Sequence, residues 1–193
     1  MKKVLIQIIK SRTIIPFVMF CAIHTYNFCY RLISVLAIHR EGGLHPKHRI
    51  MNYHEFFVDN TPVNARVLDL GCGNGALSYD LAKKAKSVLA IDISPVNINF
   101  ANKLYSRENI TFIEADILNC SSYRNKFDVV ILSNILEHLE SRVPFLASLS
   151  DVAPCLLLRV PLITRDWIVP YIKELGLDYR CDSTHFIEYT NEV

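Results

Sequence analysis

Beyond residue 45 the chain alternates short apolar runs with stretches of helical period. The runs Arg66–Leu70, Ser87–Asp92, Ile110–Glu114, Phe127–Leu132 and Cys155–Val160 read as strands. Between them a 3.6-residue spacing predicts helices over Ala76–Lys84, Pro95–Ser106 and Leu136–Leu149, and Asn52–Val58 reads as a helix leading into the first strand. Strands that alternate with helices predict an α/β fold with a doubly wound, mainly parallel sheet of about five strands, covered on both faces. Ligands of such sheets lie outside the carboxyl ends of the strands. Asp69, Asp92, Asp116 and Asn134 all fall near those ends.

Before residue 45 the pattern changes. Thr13 to Tyr30 holds no charged residue, while His24, Asn27, Arg31 and Ser34 recur at steps of three, four and three. On a helix they form one polar stripe along an apolar cylinder. The segment reads as an amphipathic helix lying on a membrane or packing on the domain, or as a span with its basic start on the cytoplasmic side. No small-x-small cleavage site follows it, which argues against a signal peptide. The loop from Glu41 to Lys47 breaks the pattern and sets a boundary between an N-terminal segment, 1–44, and a domain, 45–193.

Charge follows the same division. Residues 1–40 hold six Lys or Arg and no acid, whereas residues 41–193 hold fifteen against nineteen acids, a net of −4. The basic start suits an anionic membrane surface, so residues 1–38 are candidates for membrane contact at the inner face. The acidic domain shows no basic-aromatic interleaving, which argues against a nucleic-acid partner. The six cysteines form no C-x-x-C pair and sit mostly in apolar runs. They read as buried thiols of a reduced, cytoplasmic protein.

The chemistry gathers after the first strand. Asp69-Leu70-Gly71-Cys72-Gly73-Asn74-Gly75 carries an acid and three glycines at alternate positions. Such a loop turns sharply and exposes bare main chain to a ligand. Asp92 closes the second strand 21 positions after Gly71, a spacing suited to ribose hydroxyls. Asp116 follows the third strand and can accept from an adenine amino group, with Ile93 and Ile117 flanking the ring. Asn134 follows the fourth. A ligand with a carboxylate, an ammonium and a nucleoside suits these residues, and S-adenosylmethionine has all three.

The series resembles the class I S-adenosylmethionine-dependent methyltransferases. Their acidic-x-Gly-x-Gly-x-Gly motif is matched at Asp69, Gly71, Gly73 and Gly75, their ribose acid at Asp92 and their adenine-side acid at Asp116. Leu136-Glu137-His138-Leu139 resembles the hEHh pattern of the small-molecule branch. The resemblance implies a Rossmann-like fold, bound S-adenosylmethionine and methyl transfer, with Asp69, Gly71, Cys72, Gly73, Asn74, Gly75, Asp92, Ile93, Asp116, Ile117 and Asn134 at the cofactor. Family members usually have seven strands ending in an antiparallel hairpin. Five are counted here, and Tyr189–Val193 reads as the start of a further helix with Thr190 at its cap, so the domain is expected to be C-terminally truncated. Alternatives are a non-catalytic S-adenosylmethionine-binding module and a nicotinamide-dependent oxidoreductase on the same scaffold.

The acceptor is expected to be a small molecule, of lipid or sugar type. His138 and His185, and less strongly Glu137, are the candidate bases. Tyr53 and His54 before the first strand, and Arg159 near the end of the fifth with Arg165 and Trp167 after it, are the candidate substrate residues, with Asp182-Ser183-Thr184-His185 beyond. The arginines could hold a phosphate or carboxylate. His39, His45, His48 and His54 fit no familiar metal spacing, so no metal is expected. Tyr79-x-x-x-Lys83 stands too early in the fold for a dehydrogenase pair. Pro154-Cys155 opens a strand, where a thiol is ordinary core.

Overall fold

The computed structural model describes residues 14–42, 45–124, 126–180 and 182–190. The chain forms two compact units, divided between Asn52 and Tyr53, later than the boundary expected after residue 44. In the first unit the helices are α1, Ile15–Arg40, and α2, Lys47–Met51. Pro16 opens α1, where its missing N–H costs nothing. The basic start at Lys2–Arg12 and the glycine at 43 lie outside the described residues. Along α1 the apolar side chains Phe17, Val18, Phe28, Ile33, Val35 and Leu36 are exposed. Among the described residues no helix is long and apolar enough to cross a membrane. Cys21 and Cys29 are exposed on α1, contrary to the expectation of buried thiols, which Cys72 meets.

The second unit holds one parallel sheet of five strands: β1 Arg66–Leu70, β2 Ser87–Asp92, β3 Ile110–Glu114, β4 Val129–Ser133 and β5 Cys155–Arg159. Their order is β3-β2-β1-β4-β5. Three strands have the expected bounds. β4 starts two residues late because Asp128 is used otherwise: its N–H donates to the Arg66 carbonyl (2.8 Å). Its carboxylate accepts from the Arg66 N–H (2.7 Å) and guanidinium (2.7 Å). That clamp fixes the lower ends of β1 and β4, and Arg66 holds the Asp128 carboxyl down at about 2.

Alternation along the strands divides the core in two. Val67, Val88, Ala90, Val129 and Ile131 face the helices α3 (Tyr53–Asn60), α4 (Ala76–Leu81) and α5 (Pro95–Leu104), through Phe57, Leu77, Leu81 and Ile98. Leu68, Leu70, Ile91, Val130 and Leu132 face Phe145 of α6 (Arg142–Ser148) and Leu149. A last helix, α7, spans Ile168–Glu174. Ser94 caps α5 by accepting from the Asn97 N–H (3.3 Å).

The helix expected over Leu136–Leu149 is instead a 3-10 turn, Leu136–His138, followed by α6. Leu139 is extended between them, and Pro144 fits the first turn of α6, where an N–H has no helical partner. The break drops Glu137 and His138 at the top of β4. Tyr189 bridges Leu162 in parallel, and the helix expected to follow a cap at Thr190 falls on residues 191–193, outside the described ones. Ile131 is wholly buried at the sheet centre. Ile131→Ala is expected to cost about 2–5 kcal/mol, read as a lower urea midpoint with an unchanged slope.

Candidate active site

The sheet order sets β1 between β2 and β4, so the loop after β1 lies at the point where the strand order reverses. Main-chain N–H groups of Gly71 (2.7 Å) and Cys72 (2.9 Å) both donate to the Ile91 carbonyl, drawing the loop onto the end of β2. Gly71 has φ +73°, and a Cβ there would lie 2.0 Å from the Ile135 side chain. Gly75, at φ +83°, would drive a Cβ into Ala101 (2.7 Å) and Phe112 (2.8 Å). A Cβ on Gly73 would meet nothing within 4 Å. Two glycines therefore allow the loop to pack, and the third faces open space.

Asp92 organises this loop. Its carboxylate accepts from the Gly73 N–H (2.8 Å), the Ser94 N–H (2.9 Å) and the Asn97 side-chain amide (3.1 Å). Asp69 is buried on the α4 side and accepts from the Ser78 hydroxyl (2.5 Å). Burial pushes its carboxyl up to about 6, against the Ser78 hydrogen bond and with Asp92 adding to the rise. Burial also raises the Cys72 thiol, which makes it inert. The Asn74 side chain accepts from the Ala76 N–H (3.1 Å) and shapes the turn into α4.

On the far side of β2, the Ala115 N–H donates to the Asp92 carbonyl (3.1 Å), which brings the ends of β2 and β3 together. Asp116 is exposed and caps the following 3-10 turn through the Leu118 N–H (2.9 Å). Ile93 is 70% exposed directly beyond Asp92, and Ile117 is half-buried beyond Asp116. This apolar shelf beside a carboxylate fits a purine.

Beyond β4, Asn134 adopts φ +60°. Its N–H donates to the Arg159 carbonyl (2.8 Å), and its side-chain oxygen accepts from the Arg159 guanidinium (3.0 Å). The guanidinium carbon also lies 4.0 Å from the centre of the Tyr53 ring. Tyr53, Asn134 and Arg159, expected separately, thus form one group through the Arg159 guanidinium. His138 and His185 meet edge to face, with ring centres 4.7 Å apart. Glu137, His138 and His185 bring one polar side-chain atom each within 4.8 Å of one another. Partial burial and the neighbouring His185 hold the His138 ring below the ordinary histidine value, so its neutral form prevails at neutral pH.

Three expected substrate residues lie elsewhere. His54 pairs with Asp80 (2.8 Å) on α4. Arg165 pairs with the buried Glu188 and donates to the carbonyls of Leu162 (3.1 Å) and Tyr179 (3.0 Å), so it is a structural tie. Trp167 is exposed against Tyr171. His185 is buried, with Nδ1 3.4 Å from Glu188. His45 bonds Ser34 (2.9 Å), and among the described residues the four N-terminal histidines form no shared donor group. Residues missed in the sequence are Ser78, Asn97 and Glu188. Ser78 stands one turn into the helix after the glycines, a signal that was present. The others act through contacts made only by folding.

Residues 67–153 match the methyltransferase domain family. The chain is 36% identical over 91 residues to the mitochondrial ubiquinone biosynthesis O-methyltransferase of Schizosaccharomyces pombe, covering 45% of this chain and 33% of that one. It is 33% identical over 107 residues to the Proteus mirabilis ubiquinone biosynthesis O-methyltransferase, covering 51% of this chain and 43% of that one. The YcgJ protein of Bacillus subtilis shares the fold, with a TM-score of 0.58 at 16% identity over 73% of this chain and 63% of that one. Over residues 67–153 the chain is thus similar to methyltransferase domains, and its sheet has their fold. It spans a third to a half of the length of these curated relatives.

Gly71→Ala is expected to lower stability by about 2–4 kcal/mol, through positive φ and collision with Ile135. Gly73→Ala should cost only about 1–2 kcal/mol, through φ alone. Urea unfolding of the two variants side by side checks the difference.

Proposed function

We propose that the chain binds S-adenosylmethionine over the ends of β1, β2 and β3 and transfers its methyl group to an oxygen of a small, anionic or lipid-linked acceptor. The observation that carries this reading is the Asp92–Gly73 clamp, which holds the one glycine that faces open space. The residues fit the cofactor. Asp69 offers a buried carboxyl for an ammonium, Asp92 retains acceptor capacity for ribose hydroxyls, and Asp116 with Ile93 and Ile117 offers an adenine shelf. When bound, the sulfonium supplies an electrophilic methyl. The chain's own task is to orient the acceptor, which is worth roughly 7–11 kcal/mol of barrier, and to remove its proton.

His138 is the proposed base, because its ring is exposed beside β4 while His185 is buried against Glu188. Arg159, oriented by Asn134 and Tyr53, is the proposed holder of an acceptor carboxylate or phosphate. The relatives named as ubiquinone biosynthesis O-methyltransferases support oxygen as the receiving atom. A membrane surface is proposed as the partner of residues 1–38. The supports are the exposed apolar side chains of α1 and the lack of any acid before Glu41.

Calorimetry with S-adenosylmethionine tests the cofactor site. Asp92→Ala is expected to weaken binding about tenfold or more, equal to about 1.4 kcal/mol. Affinity should fall as pH drops through about 6, where Asp69 takes up a proton and can no longer pair with an ammonium. Asp69→Asn should bind weakly at every pH and lose that dependence. Absence of binding at millimolar cofactor overturns the reading. For the membrane partner, the chain should sediment with phosphatidylglycerol vesicles and less with phosphatidylcholine vesicles, and 0.5 M salt should release it.

A further inference from the structure

We infer that Thr184 and Asp182 set the tautomer of His138, keeping its Nδ1 protonated and its Nε2 free to accept the acceptor's proton. The role of Nε2 rests on the proposed methyl transfer; the tautomer does not. Asp182 accepts twice from Thr184, from its N–H (2.9 Å) and from its hydroxyl (2.9 Å). These two hydrogen bonds favour the ionised carboxylate, which has no proton to give. The single hydroxyl hydrogen of Thr184 is therefore committed to Asp182. The same hydroxyl oxygen lies 2.9 Å from His138 Nδ1, so it can offer that nitrogen only a lone pair. Nδ1 must carry the hydrogen, and in a neutral ring that leaves the lone pair on Nε2.

The arrangement reverses the intrinsic preference of a histidine side chain in water, which favours hydrogen on Nε2. It also survives the reaction. As the acceptor oxygen bonds the methyl carbon and the carbon–sulfur bond breaks, the oxygen's proton passes to Nε2. The imidazolium then still donates through Nδ1 to Thr184, which is backed by the Asp182 charge. The other titratable groups around the ring are His185, whose ring edge meets it, and Glu137. The segment that carries Thr184 is fixed by main-chain acceptors: the Phe186 N–H donates to the Glu137 carbonyl (2.7 Å), and Arg180 donates to the His185 carbonyl (2.9 Å).

The test is two-bond ¹⁵N–¹H correlation of the full chain labelled on histidine, at pH 8, with the His138 signals assigned by their loss in His138→Asn. Wild type should show a protonated Nδ1 and a bare Nε2. Thr184→Val, similar in shape but without the hydroxyl, should shift His138 toward the Nε2–H form while the other histidine signals stay in place. Thr184→Ser should restore the wild-type pattern. An Nε2–H pattern in wild type, or no change in Thr184→Val, overturns the proposal. So does a one-to-one shift of the His138 and His185 signals at micromolar Zn²⁺, which would assign these nitrogens to an ion. Methyl incorporation from labelled S-adenosylmethionine into cell extract should fall on the order of 10²-fold in Thr184→Val, with cofactor affinity unchanged. If the tautomer pattern holds but wild type incorporates nothing, the methyl-transfer reading fails while the tautomer assignment stands.

Discussion

One carboxylate holds the cofactor half together. Asp92 ends β2 and accepts from the glycine loop after β1, from the Ser94 main chain at the cap of α5, and from Asn97 in its first turn. The glycine loop and the first turn of α5 are thereby tied to one strand end. A parallel sheet makes this junction unavoidable, because all five strands end on the same side and their loops compete for that space. The Asp92 network, with the Ile91 carbonyl beside it, decides how the loop after β1 lies, and Ile135 then fits against Gly71.

The electrostatics at this end are one-sided. Asp69 and Asp92 raise the local negative potential, and burial compounds it at Asp69. A carboxyl whose folded-state pKa is raised favours the protonated fold. Its contribution to stability is full below the unfolded value of 3.8 and declines as pH rises through about 6. At neutral pH the ligand-free domain therefore carries a cost that a cation beside Asp69 offsets. The opposite end behaves conversely: Arg66 holds Asp128 low, so that exposed pair persists to acid pH and contributes little at any pH.

What the sequence disclosed was decided by local pattern. The bounds of β1, β2 and β3 follow from short apolar runs closed by Gly71, Asp92 and Glu114, and Gly71, Gly73 and Gly75 fall where positive φ is needed. What stayed hidden was decided by distant partners. Arg165 looks like a free cation in sequence, yet Glu188 claims it 23 residues away. His54 stands next to Tyr53, but Asp80 draws it toward α4. The apolar period from Leu136 to Leu149 is genuine, but the extended Leu139 interrupts it, and no propensity marks that residue. Thr184 and His138 lie 46 residues apart, and only the fold makes them neighbours.

The two halves of the site are anchored in different ways. The cofactor half consists of strand ends, whose positions are collective properties of the sheet. The segment from Asp182 to Thr190 that completes the other half is attached by few main-chain bonds. The Phe186 N–H donates to Glu137, the Ile163 N–H to the Tyr189 carbonyl, and the Tyr189 N–H to Pro161. None of these bonds depends on side-chain identity. These main-chain bonds tolerate exchange of the exposed side chains along the segment, whereas the buried Glu188, which holds Arg165, cannot be exchanged without leaving that cation unpaired, so divergence there is confined to positions that face outward.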